Sequence, residues 1–452
     1  MKYTNMYLAI RKVLGGEQTD FAMTNKTAAQ IELWSRMFSG KSPWLNDKIQ
    51  DAELSPAIAG EIARLITLEL QSKIDGSTRA VYIDKFYRGV LKNLRIQVEY
   101  GCAKGGLIIK PYVSASGISV QFLHADCFFP IEFDGDKITK CAFIEQFRNG
   151  NSIYTRIEYH SLSDSMLTVK NRAFVAHTEA VLGSEVSLDS IPRWSELSPG
   201  VTFSGVSKLP FGYFKVPAAN NVDSESPLGV SVYARAVGLI READRRYSQI
   251  NWEYDSKETA IHIATSLLKY RQDLDKFEYP GGKERLYREM EYNSGAIDKP
   301  FIDAFSPDIR DQSFYNGWNQ QMRRIEFNCN LAYGTLSDPN NTDKTAEEIR
   351  ASKQRSYAFV SDCQTSLQTA LEDTVDAMNF WCDIYNLAPP GVCNMTYNWD
   401  DSIVVDADKE RQTDREDVAM GVMQPWEYRM KHYGEDEETA KKMIAEPAGV
   451  IE

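Results

Sequence analysis

The sequence predicts an α+β chain in which helical and strand-forming segments follow one another in blocks. Three observations predict it. Apolar residues recur at helical spacing through about residue 95, alternate with a period of two from about 96 to 215, and return to long helical stripes after residue 226. The 452 residues are 43% hydrophobic and 25% charged. That is an ordinary globular balance, with length for about two to four domains.

Taken in order, Ser55-Pro56 reads as an N-cap with proline at the first helical position. Behind it Ile58, Ile62, Leu65, Ile66 and Leu70 make an apolar face. Tyr82, Phe86, Val90 and Leu94 mark a second helix beyond the Asp75-Gly76 turn signal. Short β-rich runs follow: IQVEY, GGLIIKPYV, GISVQFL, CFFPIEF, KITKCAFIEQF and SIYTRIEYHSL. Ser116-Gly117, Asp134-Gly135-Asp136 and Asn149-Gly150-Asn151 separate some of them, as in an antiparallel meander.

The polar segment AANNVDSESPLG is the clearest boundary. A long helix is expected after it, to about Asp255, on the stripe Val232, Ala236, Leu239, Ala243, Tyr247 and Ile250. Residues 256–312 form a mixed insert. It opens on TAIHIATSLLKY, a strand or short helix, and includes the charged KERLYREMEY. A second helix carries Trp318, Met322, Ile325, Cys329 and Ala332 and is expected to stop at Tyr333-Gly334 with a left-handed cap. The polar loop TLSDPNNTD comes next. Thr345 with Glu348 then fits a capping box opening a third helix of about 40 residues. Ile349, Ser356, Phe359, Cys363, Leu367, Leu371, Met378, Trp381 and Tyr385 share its face, and Pro389-Pro390 ends it. The strand NMTYNW, an acidic run and the helical PWEYRMKHYG complete the chain.

No motif for chemistry stands out. The five histidines are far apart in sequence and none lies in an H-E-x-x-H or H-x-H arrangement. The seven cysteines contain no C-x-x-C pair, which favours buried free thiols over a disulfide framework and fits a reducing compartment. Gly40-Lys41-Ser42 has Ser35 where a P-loop needs glycine, and Pro43 breaks the helix that should follow. The acids Asp400, Asp401, Asp406, Asp408, Glu410, Asp414, Glu416 and Asp417 are interrupted by Lys409, Arg411 and Arg415, the pattern of a solvated face. The short apolar stretch at the start, broken by Arg11 and Lys12, is not expected to act as a signal peptide. No apolar run approaches the ~18 residues that span a bilayer. The net charge of −13 excludes a protein that grips DNA over its whole surface, since such affinity comes from Lys and Arg displacing counterions. It does not exclude a wall past which DNA slides.

The order of parts carries more. NNVDSESPLGVSVYARA, FYNGWNQQMRRIEFNCNLAYGTLSD, NNTDKTAEEIRASKQRSY and MQPWEYRMKHYGEDEETA occur in that order. With the helix–insert–helix–loop–helix arrangement around them, they resemble the portal, or head-tail connector, proteins of long-tailed (siphophage-like) bacteriophages over essentially the whole chain. The resemblance implies a portal-type fold and a homo-oligomeric ring, usually of twelve subunits. It implies a wing over 1–225, a first stem helix over 226–255, a clip over 256–312 and a second stem helix over 313–334. A channel loop would cover 335–345, a long wing/crown helix 346–388, and a wing strand with a helical crown 389–452.

The implied function is a non-enzymatic channel for double-stranded DNA at one capsid vertex, assembled in the host cytoplasm. Its partners would be the terminase large subunit, then the head-tail adaptor, and the major capsid protein. It needs no cofactor, metal or membrane. The channel loop would present Ser337, Asp338, Asn340, Asn341, Thr342, Asp343 and Lys344, with one Lys344 charge per subunit. The same residues also suit a plain exposed turn. Lys283, Glu284, Arg285 and Arg288 are expected to face the motor. The competing readings are another head-tail structural subunit, or a metal-dependent nuclease built on the acids of 400–417.

Overall fold

The structure is a computed structural model that describes residues 3–14, 23–135, 137–178, 181–264, 268–271, 276–278, 287–290, 302–306, 308–338, 346–399 and 407–444. Helices α1 (Tyr3–Leu14), α2 (Asn25–Phe38) and α3 (Leu54–Thr67) come first. Thr24 caps α2, its Oγ1 accepting the Thr27 N–H at 3.3 Å and satisfying one of the helix's orphan donors. The cap expected at Ser55 is displaced. α3 begins at Leu54, behind Glu53 in the left-handed region at φ 55°. Proline lacks an N–H and fits the first turn at large, so Pro56 marks that turn without fixing its first residue.

Strand β1 (Leu70–Asp75) and helix α4 (Thr78–Lys104) follow, and both correct the sequence reading. β1 was not foreseen. The run Ile96–Tyr100, expected as a strand, is the continuation of α4. Ile83, Tyr87, Val90, Leu94, Val98 and Cys102 are one buried stripe along that helix, while Ile96 points outward at 58% exposure. α4 ends at Gly105, at φ 95°, where the chain near residue 229 crosses closely. A Cβ on Gly229 would lie 2.2 Å from the Gly105 carbonyl oxygen.

The strand block then begins at 106, not 96: β2 (Gly106–Ser114), β3 (Gly117–His124), β4 (Phe128–Asp134), β5 (Lys137–Asn149), β6 (Ser152–Ser163), β7 (Met166–Ala176), β8 (Ser184–Val186), β9 (Gly200–Ser204) and β10 (Gly212–Lys215). The expected meander is present. β4 to β8 pair antiparallel in sequence order, with β9 also on β7, while β10, β2 and β3 make a second sheet. The core beneath the meander includes Phe128, Phe143, Leu167 and Phe211.

The first long helix, α5 (Val237–Ser256), starts later than the expected 226. The preceding stretch is used against α4 and α2. The Val232 N–H donates to the Cys102 carbonyl at 3.0 Å, and the Tyr233 hydroxyl donates to the Trp34 carbonyl at 2.9 Å. The insert contributes β11 (Ala260–Ala264), β12 (Lys269–Arg271), β13 (Lys276–Glu278), β14 (Tyr287–Met290) and β15 (Ile302–Phe305), so AIHIA is strand. Helix α6 (Asp311–Asn328) follows, then α7 (Ala346–Tyr385), roughly 60 Å long at 1.5 Å per residue. Thr345, the expected cap of α7, lies outside the described residues.

The chain ends with β16 (Asn394–Trp399), α8 (Ala407–Ala419), α9 (Pro425–Tyr433) and α10 (Glu437–Ile444). β16 pairs antiparallel with β1, Leu70 opposite Trp399. Buried Arg79 fastens this closure. Its guanidinium donates to the Pro389 carbonyl at 2.9 Å and the Ala388 carbonyl at 2.7 Å, and pairs with Asp383.

One buried core joins the N-terminal helices to Leu107, Phe214, Ile240, Met322, Leu367 and Met378. It makes α7 the spine against which both halves pack. β10 lies directly on that spine. A Cβ on Gly212 would come within 1.9 Å of the Ala370 carbonyl oxygen, so only glycine fits. All seven cysteines are free, and Cys102, Cys141, Cys329, Cys363 and Cys382 are buried. Among the described residues no helix is long and apolar enough to cross a membrane.

Candidate functional site

The apolar stripes of α5 and α6 meet in an antiparallel hairpin. Gln321 Nε2 donates to the Leu239 carbonyl at 2.9 Å, and Arg246 donates to the Gly317 carbonyl at 3.2 Å. Tyr247 packs on Trp318 with ring centroids 6.0 Å apart. Arg310 closes the insert end, gripping Glu253 with Nε at 3.1 Å and Nη2 at 2.8 Å. This two-pronged bond holds the Glu253 carboxyl below its ordinary range, because it favours the charged form. The N-terminal region holds α5 along its length. Trp44 Nε1 and the Ala52 N–H donate to Asp244 at 2.7 and 3.0 Å, and burial pushes the Asp244 carboxyl up.

In the insert, β11 pairs parallel with β14 and antiparallel with β15. Of the four residues expected to face a motor, Arg288 is described. It is exposed, with its guanidinium 5.8 Å from the Phe305 ring centroid. Lys283, Glu284 and Arg285 lie outside the described residues.

At the opposite end α6 stops six residues before the expected Gly334. The left-handed cap is of the expected kind, but Asn330 supplies it, at φ 57°. The Leu331 N–H bonds back to the Glu326 carbonyl at 2.9 Å and the Asn330 N–H to the Phe327 carbonyl at 3.5 Å, a Schellman ending. The chain then turns back along the helix. The fully buried Glu326 accepts from the N–H groups of Gly334, Leu336 and Ser337 at 3.1, 2.7 and 2.8 Å, and from the Ser337 hydroxyl at 2.8 Å. Asn319 Oδ1 accepts the Asp338 N–H at 2.8 Å.

Two of the seven expected loop residues are therefore in view. Asp338 is exposed. Ser337 is 5% exposed and turned toward Glu326, which corrects the expectation that its side chain is offered to a channel. Its hydroxyl is needed to satisfy a buried carboxylate. Asn340, Asn341, Thr342, Asp343 and Lys344 lie outside the described residues. Glu326 was missed in the sequence. The available signal was a carboxylate four residues after Met322, on the stripe meant for apolar side chains.

Among the described residues the acidic run does not gather. Asp414 is held by Lys431 at 2.7 Å and His432 at 2.6 Å, and Lys431 foremost keeps its carboxyl below the usual range. Gln412 donates to Glu416 at 3.2 Å, while Asp417 also lies on α8. Asp408 and Glu410 are on α8 too, and Asp400, Asp401 and Asp406 lie outside the described residues. Among the described residues no group of three or more His, Cys, Asp or Glu is placed to hold a metal ion. His124 and His160 are likewise engaged, with Gln97 and Glu158.

No curated protein matches the chain. A family model described as phage portal protein, SPP1 Gp6-like, matches residues 79–450. That span takes in α4, the strand block, the α5–α6 hairpin with its insert, the pinned loop base, α7 and the C-terminal helices. The chain belongs to this family of phage portal proteins.

Proposed function

We propose that copies of this chain close into a ring, of twelve subunits by family resemblance, around a channel for double-stranded DNA at one capsid vertex. The α5–α6 hairpins form the channel wall. The insert between them docks the terminase large subunit during packaging and the head-tail adaptor afterwards, and the wing meets the major capsid protein. The ring is assembled in the host cytoplasm and remains in the virion. The chain is a conduit and not an enzyme. Residues 335–345 approach the DNA, Asp338 through Lys344 supplying the polar contacts.

The observation that carries this reading is the antiparallel hairpin, with a strand insert at one end and a polar loop base pinned at the other, inside the matched span. The net charge of −13 suits the task. A wall rich in Lys and Arg would hold DNA by counterion release, whereas DNA in transit has to slip past.

One Lys344 per subunit would then be a sparse basic ring. In Lys344→Ala particles, filled capsids are expected to lose DNA several-fold faster, and the salt dependence of DNA release should shrink as phosphate contacts disappear. The measurement is nuclease-protected DNA over time after packaging. Unchanged packaging and retention would remove Lys344 from the account.

A further inference from the structure

Glu326 is the least expected side chain of the hairpin. A carboxylate on a buried helix face is costly unless its oxygens are filled. Packing alone would be served as well by an apolar residue of similar size. Nor does α6 need it as a cap, since Asn330 already completes the helix end. What the carboxylate does bind is the chain beyond the helix: three backbone N–H groups and one hydroxyl, all from Gly334–Ser337.

Asn319 lies seven residues earlier, two turns along the same face, and takes the next N–H, that of Asp338. The two side chains thus hold the start of the loop along α6. From the other side α7 contributes Arg355. Its guanidinium lies 4.6 Å from the Phe327 ring centroid and 5.4 Å from that of Tyr333, and it donates to the Leu331 carbonyl at 3.3 Å.

We propose that Glu326 is a positioning residue. Its buried carboxylate locks the loop base, Gly334–Ser337, to the last turn of α6, so that this base moves with the helix and not independently of it. Asn319 extends the lock to Asp338, and Arg355 joins the turn just ahead of the base, at Leu331 and Tyr333, to α7. The consequence for DNA movement rests on the channel role proposed above. Any displacement of a stem helix is then delivered to the loop.

The test uses assembled rings and packaging-competent particles carrying Glu326→Ala, Glu326→Asp or Glu326→Gln. Aspartate keeps the charge but falls one methylene short of the loop. Glutamine keeps an oxygen for the N–H groups and turns its Nε2 toward the Ser337 hydroxyl oxygen. In the Ala and Asp rings the amides of Gly334, Leu336 and Ser337 should exchange hydrogen about tenfold faster or more, and packaging should slow several-fold at equal ring incorporation. The Gln variant should restore both toward wild type. Wild-type exchange in both the Ala and Asp rings would overturn the lock. If the Ala variant does not assemble, the Asp and Gln pair decides on the same readouts.

Released amides with wild-type packaging would overturn positioning, provided Lys344→Ala or loop deletions still change packaging. If those loop variants also leave packaging untouched, the channel reading is what fails, and the exchange result on the lock stands by itself.

Discussion

Replacing Lys110 with methionine is expected to destabilise the strand domain by about 3 kcal/mol, because it strips the main counter-charge from a buried carboxylate. Lys110 on β2 is 7% exposed and Glu158 on β6 is 9% exposed, with Nζ 2.6 Å from Oε1. The ammonium also lies 4.8 Å from the Phe143 ring centroid. Burial alone would push the Glu158 carboxyl up. Lys110, then His160 and Arg156, more than reverse this and hold it well below the usual carboxylate range.

Arg156 cannot take over fully, since it also binds Glu145 at 3.0 Å. Urea unfolding should show the loss. The double change Lys110→Met with Glu158→Leu should recover most of it, since an apolar pair of similar volume costs little there. A depressed carboxyl contributes stability above its unfolded value, and that stability is lost as pH falls through the folded value. With Lys110 gone the folded value rises, so acid unfolding should begin at a higher pH. A single Lys110→Met change that leaves both curves unmoved would show that the pair is not coupled to folding.

Trp252→Glu is expected to dissolve the ring while leaving the folded subunit intact. Trp252 is 70% exposed on α5, beside the insert end of the hairpin, and Tyr254 and Tyr315 are exposed at the same end. A tryptophan left this open suits a surface that another surface covers, and the proposed ring supplies one in the next copy of the chain. A buried tryptophan at such a contact is worth about 2 kcal/mol or more, and every subunit of a closed ring makes the contact on both sides. Mass photometry should find wild type as rings and Trp252→Glu as monomers at the same concentration, with unchanged unfolding of the monomer. Intact variant rings would move the subunit contact elsewhere.

These expectations rest on parts of the chain that differed in how plainly they could be read. The meander was legible because one-sided burial imposes a period of two, as in β6, where Ile153, Thr155 and Ile157 turn inward in succession. The hairpin and α7 were legible from stripes long enough to exclude a strand. β1 was not, because LQSKID has one fully buried residue, Ile74, and is a strand through its pairing with β16, more than three hundred residues away in the chain.

The end of α4 misled for the opposite reason. Ile96, Val98 and Tyr100 alternate like a strand, yet Val98 continues the helical stripe and the helix wins by propagation. At the site, the stop of α6 was placed on Gly334 because glycine is the commoner left-handed residue. Asn330 does the same work earlier. Glu326 offered only the signal of a carboxylate on an apolar stripe, and its role stayed hidden because its partners are chiefly backbone N–H groups, which carry no signature in a sequence.

The measurement closest to the central claim is an electron-microscopy image of the purified chain after assembly. The account predicts closed rings whose central opening admits a DNA duplex, with the α5–α6 hairpins forming its wall. A monomer or open filament, or a chain that cleaves DNA when given divalent cations, would contradict it.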